Sequence, residues 1–145
     1  MPVHPNLLKS AKKLLQSPHR FADDELLTSL HTLCDEDLDK LNFGVIGLSD
    51  AGVILRYNKY ETELANREKA TTIGKSFFEE VAPCTNVPIF SGLFFDGVQK
   101  DDLHAFVSYF FDFRMTPTHV WIHMYRCTTS KTNWILVQKK SQEEN

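Results

Sequence analysis

Long apolar runs, a surplus of basic charge and paired cysteines are all missing from this chain of 145 residues. No apolar segment reaches the roughly 18–20 residues of a spanning helix, which argues against membrane insertion. The opening Met1-Pro2-Val3-His4-Pro5 lacks the basic-then-apolar order of a secretory signal. With 16 Lys and Arg against 19 Asp and Glu, the formal charge is −3. Only Lys12-Lys13 and Lys139-Lys140 sit together, so no electrostatic footprint for nucleic acid exists. The three cysteines are odd in number, widely spaced and without a C-x-x-C pair. They suggest a reduced, cytoplasmic setting in which a thiol stays free. Repeats and low-complexity stretches are absent too. What remains, with 42% hydrophobic residues, suits one domain around one core.

The chain opens with short amphipathic helices. Asn6 can cap a first, with Leu7, Leu8, Ala11, Leu14 and Leu15 on one face; Ser17-Pro18 ends it. Asp23 can cap a second, with Leu26, Leu27, Leu30 and Leu33 inward, and Asp35 begins a third with Leu38 and Leu41. Residues 1–42 are expected to form a helical cap packed on something larger. From Phe43 to Leu48 the period changes to a strand. Ser49–Gly52 signals a turn, and Val53–Tyr57 a returning strand. Asn58–Val81 reads as irregular and helical by turns, broken at Asn66 and Gly74. Pro88 starts a longer helix that buries Phe90, Leu93, Phe94, Gly97 and Val98. Leu103–Phe113, Thr118–Thr128 and Thr132–Lys139 read as strands, with a hairpin turn at 128–132. The order predicts an α+β domain over 43–140, a five-stranded antiparallel sheet with helices mostly on one side. The polar tail, 141–145, is expected to fray.

Several sharp motifs fail. Gly74-Lys75-Ser76 resembles the end of a phosphate loop, but Lys69 stands where the first glycine is needed. His119 and His123, four apart on a strand, lie roughly 13 Å from each other, too far for one metal. A Cys84–His123–Asp112 hydrolase lacks any oxyanion loop. Cys34, on a helix face, and Cys127, on a strand, read as packing residues.

The segment Ile73–Thr85 (Ile-Gly-Lys-Ser-Phe-Phe-Glu-Glu-Val-Ala-Pro-Cys-Thr) places Cys84 after a proline, in a loop where a thiol can be reached. With Tyr57-Asn58, Glu61 and Phe111–Thr118, it resembles the photoactive yellow proteins, over roughly Leu38 to Lys139. These are small PAS-domain blue-light receptors, not enzymes. The resemblance implies p-coumaric acid bound as a thioester on Cys84. Tyr57 and a protonated Glu61 would hold its phenolate. Arg67 would cover the pocket. Val81, Pro83 and Phe111 would line it, and Met115 would speed thermal recovery. The chemistry is coherent: a buried phenolate needs donors, and burial beside negative charge keeps a glutamate protonated.

The implied cycle runs from trans–cis photoisomerisation, through proton transfer from Glu61, to release of the N-terminal cap. With no output segment after the last strand, the signal is expected to reach a downstream protein in trans. Two departures stand out. Ala65 replaces a threonine that would contact Tyr57, and Phe113 replaces a tyrosine near the mouth. Two other classes stay open. One is a PAS-type ligand-binding or protein-interaction module without chromophore; the other is a cysteine-dependent acyl transferase or hydrolase.

Overall fold

The computed structural model describes residues 22–111 and 117–140. The helix expected after Asn6 and the tail from Ser141 lie outside the described residues. Asp23 caps α1 (Asp24–Ser29), its Oδ1 accepting the Leu26 N–H at 2.8 Å. A 3-10 turn, Leu30–Thr32, leads on to α2 (Asp35–Asp39). The sheet comprises β1 (Gly44–Leu48), β2 (Ile54–Tyr57), β3 (His104–Phe111), β4 (Thr118–Cys127) and β5 (Thr132–Lys139). All pairings are antiparallel, in the order β2-β1-β5-β4-β3. Gly52, at φ 83°, permits the tight β1–β2 turn.

This order puts β2 and β3 at opposite edges, so the chain from 58 to 103 must cross the whole sheet. It does so over one face as α3 (Lys59–Ala65), short 3-10 and π turns, and α4 (Leu93–Lys100). The expected helix from Pro88 starts as a π turn, Pro88–Gly92, before becoming α4. Strand alternation then divides the apolar residues between two cores. Ile46, Ile122, Met124, Ile135 and Val137 face the crossing segment, with Phe77, Phe78, Phe90 and Phe94 against them. Val45, Trp134 and Leu136 face the other way and are covered by Leu27, Leu30 and Leu38 of the cap. The cap therefore lies on the face opposite the crossing helices. Cys34 corrects the expectation of a packing residue: it is exposed, at the start of α2, while Cys127 is buried as expected.

Asn58 ties these parts together. Its Oδ1 accepts the Val45 N–H at 2.9 Å and the Glu61 N–H at 3.3 Å. Its Nδ2 donates to the carbonyls of Leu38 at 2.8 Å and Phe43 at 3.0 Å. Further ties to the cap are exposed: Arg56 and Lys69 both bind Asp35, and Asp39 accepts the Lys59 N–H at 2.7 Å. At the other end of the sheet, buried Arg126 reaches Asp50 and Asp101, both at 2.6 Å, and Asn133 at 2.8 Å. It thereby clamps the β1–β2 turn and the α4–β3 loop to the β4–β5 hairpin. The expected outcome of Asn58→Ala, which strands several buried backbone groups, is a loss of about 3 kcal/mol or more. A shift of the urea midpoint would show it, and a loss below about 1 kcal/mol would mean that water replaces the amide.

Candidate functional site

Tyr57, Glu61 and Ala65 are spaced by four residues, so they share one face of β2's end and α3. Asn58 caps this helix, and Asn66 closes it in the left-handed region at φ 53°. Their shared face looks onto the turns that carry Val81 and Cys84. The resulting pocket brings Tyr57, Glu61, Ala65, Arg67, Val81, Cys84 and Phe111 together. Pro83 is not in the lining; it starts the 3-10 turn Pro83–Thr85 and points its role at the turn's geometry. Met115 and Phe113 lie outside the described residues.

Glu61 is only 2% exposed. Its Oε2 accepts a long hydrogen bond from the Tyr57 hydroxyl at 3.4 Å, and Oε1 has no partner among the described residues. Gly44 makes room for this carboxyl: a Cβ there would lie 2.3 Å from Oε1. Burial pushes the Glu61 carboxyl up to about 8, against a smaller downward pull from Tyr57. Burial likewise raises the Tyr57 hydroxyl far above its ordinary value. The Glu61 charge adds to this, and Arg67 opposes it. Arg67 is half-buried and donates to the Val81 carbonyl at 3.3 Å. With Tyr57 it walls the pocket off from an open groove of about 440 Å³ that Lys59 and Lys69 also line.

Cys84 is half-buried. Its turn is closed by the N–H groups of Thr85 and Asn86, which leaves the Cys84 N–H outside the turn's own bonding. The Tyr109 hydroxyl donates to the Cys84 carbonyl at 2.5 Å. Tyr109, Phe77 and Ala82 belong to the site but were not singled out from the sequence. Tyr109 shares strand parity with Phe111, which is the signal that could have found it. The cavity measures about 20 Å³, room for one water beside Ala65. Among the described residues no group of three or more His, Cys, Asp or Glu could hold a metal. No described helix is long and apolar enough to cross a membrane.

No family model matches the chain. The photoactive yellow protein of Rhodothalassium salexigens is 41% identical over 120 residues, 83% of this chain and 96% of that protein. The chain belongs to the photoactive yellow protein family. The photoactive yellow protein of Halochromatium salexigens is 40% identical over 119 residues, 82% of this chain and 95% of that one. The photoactive yellow protein domain of the sensor histidine kinase Ppr from Rhodospirillum centenum superposes with a TM-score of 0.73 at 41% identity. That match covers 77% of this chain and 97% of the other. The architecture is accordingly an α+β PAS fold of the photoactive yellow protein type.

A carboxyl group held up to about 8 when folded and ionising near 4.5 when unfolded binds more protons in the folded state across that window. Stability should therefore fall as pH rises from about 4.5 to about 8, by roughly 5 kcal/mol in all, and then level off. Urea unfolding of the apoprotein at a series of pH values measures this. Glu61→Gln should remove most of the slope; an equal slope in the variant would assign it elsewhere.

Proposed function

We propose that this chain is a blue-light photoreceptor that carries p-coumaric acid as a thioester on Cys84. The observation that carries this reading is the junction of a half-exposed thiol with a fully buried Tyr57–Glu61 pair inside one pocket. The donor set fits the group. The partnerless Oε1 of Glu61 and the Tyr57 hydroxyl can both donate to a phenolate, provided Glu61 is protonated, as its raised pKa ensures near neutrality. The closed lining must part to admit an aromatic acid, since the cavity measures only about 20 Å³. When bound, the group supplies absorption of blue light and a trans–cis isomerisation.

The protein's residues do the rest. Cys84 anchors the group, and its backbone N–H lies outside the turn's own bonds, suited to a thioester carbonyl. Tyr109 holds the attachment turn from β3 through the Cys84 carbonyl. Arg67 closes the side toward the groove, and Val81 and Phe111 supply apolar walls. Ala65 leaves space for a water where the resemblance implies a threonine. Met115 is assigned to the thermal reset on the resemblance alone. Glu61 holds a proton in the dark and yields it toward the phenolate after light. A bare carboxylate is then left in a site with one long hydrogen bond, a cost of several kcal/mol. Asn58, which caps the same helix, also holds the cap through Leu38 and Phe43. The cap is the element that yields, and a downstream signalling protein reads its release.

Mixing the apoprotein with an activated p-coumaroyl thioester should give a yellow band that bleaches in a blue flash and recovers. Cys84→Ala should abolish covalent pigment. Glu61→Gln should keep colour but lose the carboxyl-deprotonation signal from infrared difference spectra. No band from protein with reduced Cys84 would leave a PAS-type binding module as the better account.

A further inference from the structure

Cys127 ends β4 on the face away from the pocket and is 3% exposed. Its Sγ lies 3.5 Å from Nδ1 of His31, on the 3-10 turn of the cap. The hairpin turn that follows curls back on this sulfur, presenting the Ser130 hydroxyl and the backbone N–H groups of Ser130 and Thr129. Ser130 Oγ is buried and has no hydrogen-bond partner among the described residues. Leaving a hydroxyl so is costly, and an anionic sulfur is the acceptor it can serve. Burial alone would raise the Cys127 thiol, but these donors outweigh it and hold the thiol below its ordinary range. Tyr125, on the same face, is raised first by burial, then by the sulfur's charge and by Asp24 of α1. The environment thus favours an anion at this sulfur.

None of these groups touches the pocket on the opposite face. His31 is only half-buried, and Thr128 and Thr129 are exposed. Cys34 offers a contrast within the same chain. It is exposed at the start of α2, and its side chain makes no capping hydrogen bond.

We propose that Cys127 and His31 form a modification site for small electrophiles, hydroperoxides above all, at the seam between cap and sheet. The imidazole takes the thiol proton, and the donors of the turn hold the sulfur anion. The sulfur attacks one peroxide oxygen; an S–O bond forms as the O–O bond breaks. Sulfur loses two electrons and becomes a sulfenic acid, and the peroxide is reduced. The departing hydroxide, or alkoxide from an organic hydroperoxide, recovers the proton from His31 and leaves as water or alcohol. The added oxygen occupies the space against which His31 packs, so oxidation loosens the cap at this seam. The site depends on the cap–sheet contact alone and stands whether or not Cys84 carries a chromophore.

The test uses the full chain in the dark, with peptide-level mass spectrometry to separate the three thiols. Alkylation by iodoacetamide is followed against pH, and hydrogen peroxide oxidation is trapped with dimedone. Cys127 should reach half its maximal alkylation rate at a lower pH than the ~8.5 of an ordinary thiol. His31→Gln and Ser130→Ala should each raise that midpoint and slow dimedone trapping at pH 7 several-fold, leaving the profile of Cys34 unchanged. A Cys127 midpoint at or above the ordinary value would overturn the proposal. So would a midpoint that neither substitution moves, or no dimedone adduct where urea-unfolded protein forms one.

Discussion

The whole arrangement hangs on the amide of one side chain. Asn58 begins the pocket helix, accepts a backbone N–H from β1, and donates to two carbonyls at the end of the cap. All four groups are buried from water, so none can exchange its partner cheaply. Sheet, cap and pocket helix therefore cannot settle independently. Glu61 sits less than one turn from this amide, and its placement inherits the amide's rigidity.

Glu61 is a second constraint, of opposite sign. The amide is fully satisfied; the carboxyl is not. Gly44 allows the carboxyl to lie against β1, and in doing so removes it from every donor but Tyr57. A protonated carboxyl tolerates such surroundings, whereas a carboxylate does not. The two cores respond unequally to any disturbance at this point. On the pocket side, Phe77, Phe78, Phe90 and Phe94 interlock with ring centroids 5.1–6.1 Å apart. On the other, the cap offers a few leucines and exposed ion pairs from Asp35, each worth little in water.

Much of this could be read from the residues in order. Local signals, such as the Asp23 cap, the Ser49–Gly52 turn, the Asn66 break and the period-two strands, needed only their own neighbours, and each stands where expected. What depends on distant parts of the chain was not legible. The cap's face is decided by the strand order, which no single strand encodes. Asn58 has the look of a simple helix cap until Leu38 and Phe43 are brought to it across 20 and 15 residues. Tyr109 meets Cys84 across 25 residues. Cys34 sits at a helix start, where a short exposed turn overrides the small apolar character of the thiol. Glu61 was picked out through family resemblance, because nothing in a lone glutamate's neighbours announces that it will be buried.

The strand order also has a bearing on how the molecule comes into being. The central strand, β5, is the last to be made, and it lies between β1 and β4. Until it is inserted, β1 and β2 form an isolated hairpin, too little sheet to stand alone in water. The face on which the cap rests, with Trp134 and Leu136, does not yet exist. The pairing of residue 44 with residue 137 closes a loop of most of the domain in a single step. The thiol of Cys84 must therefore spend the whole of synthesis on a chain without its finished pocket, and ligand selectivity can arise only once the final strand has locked into the middle.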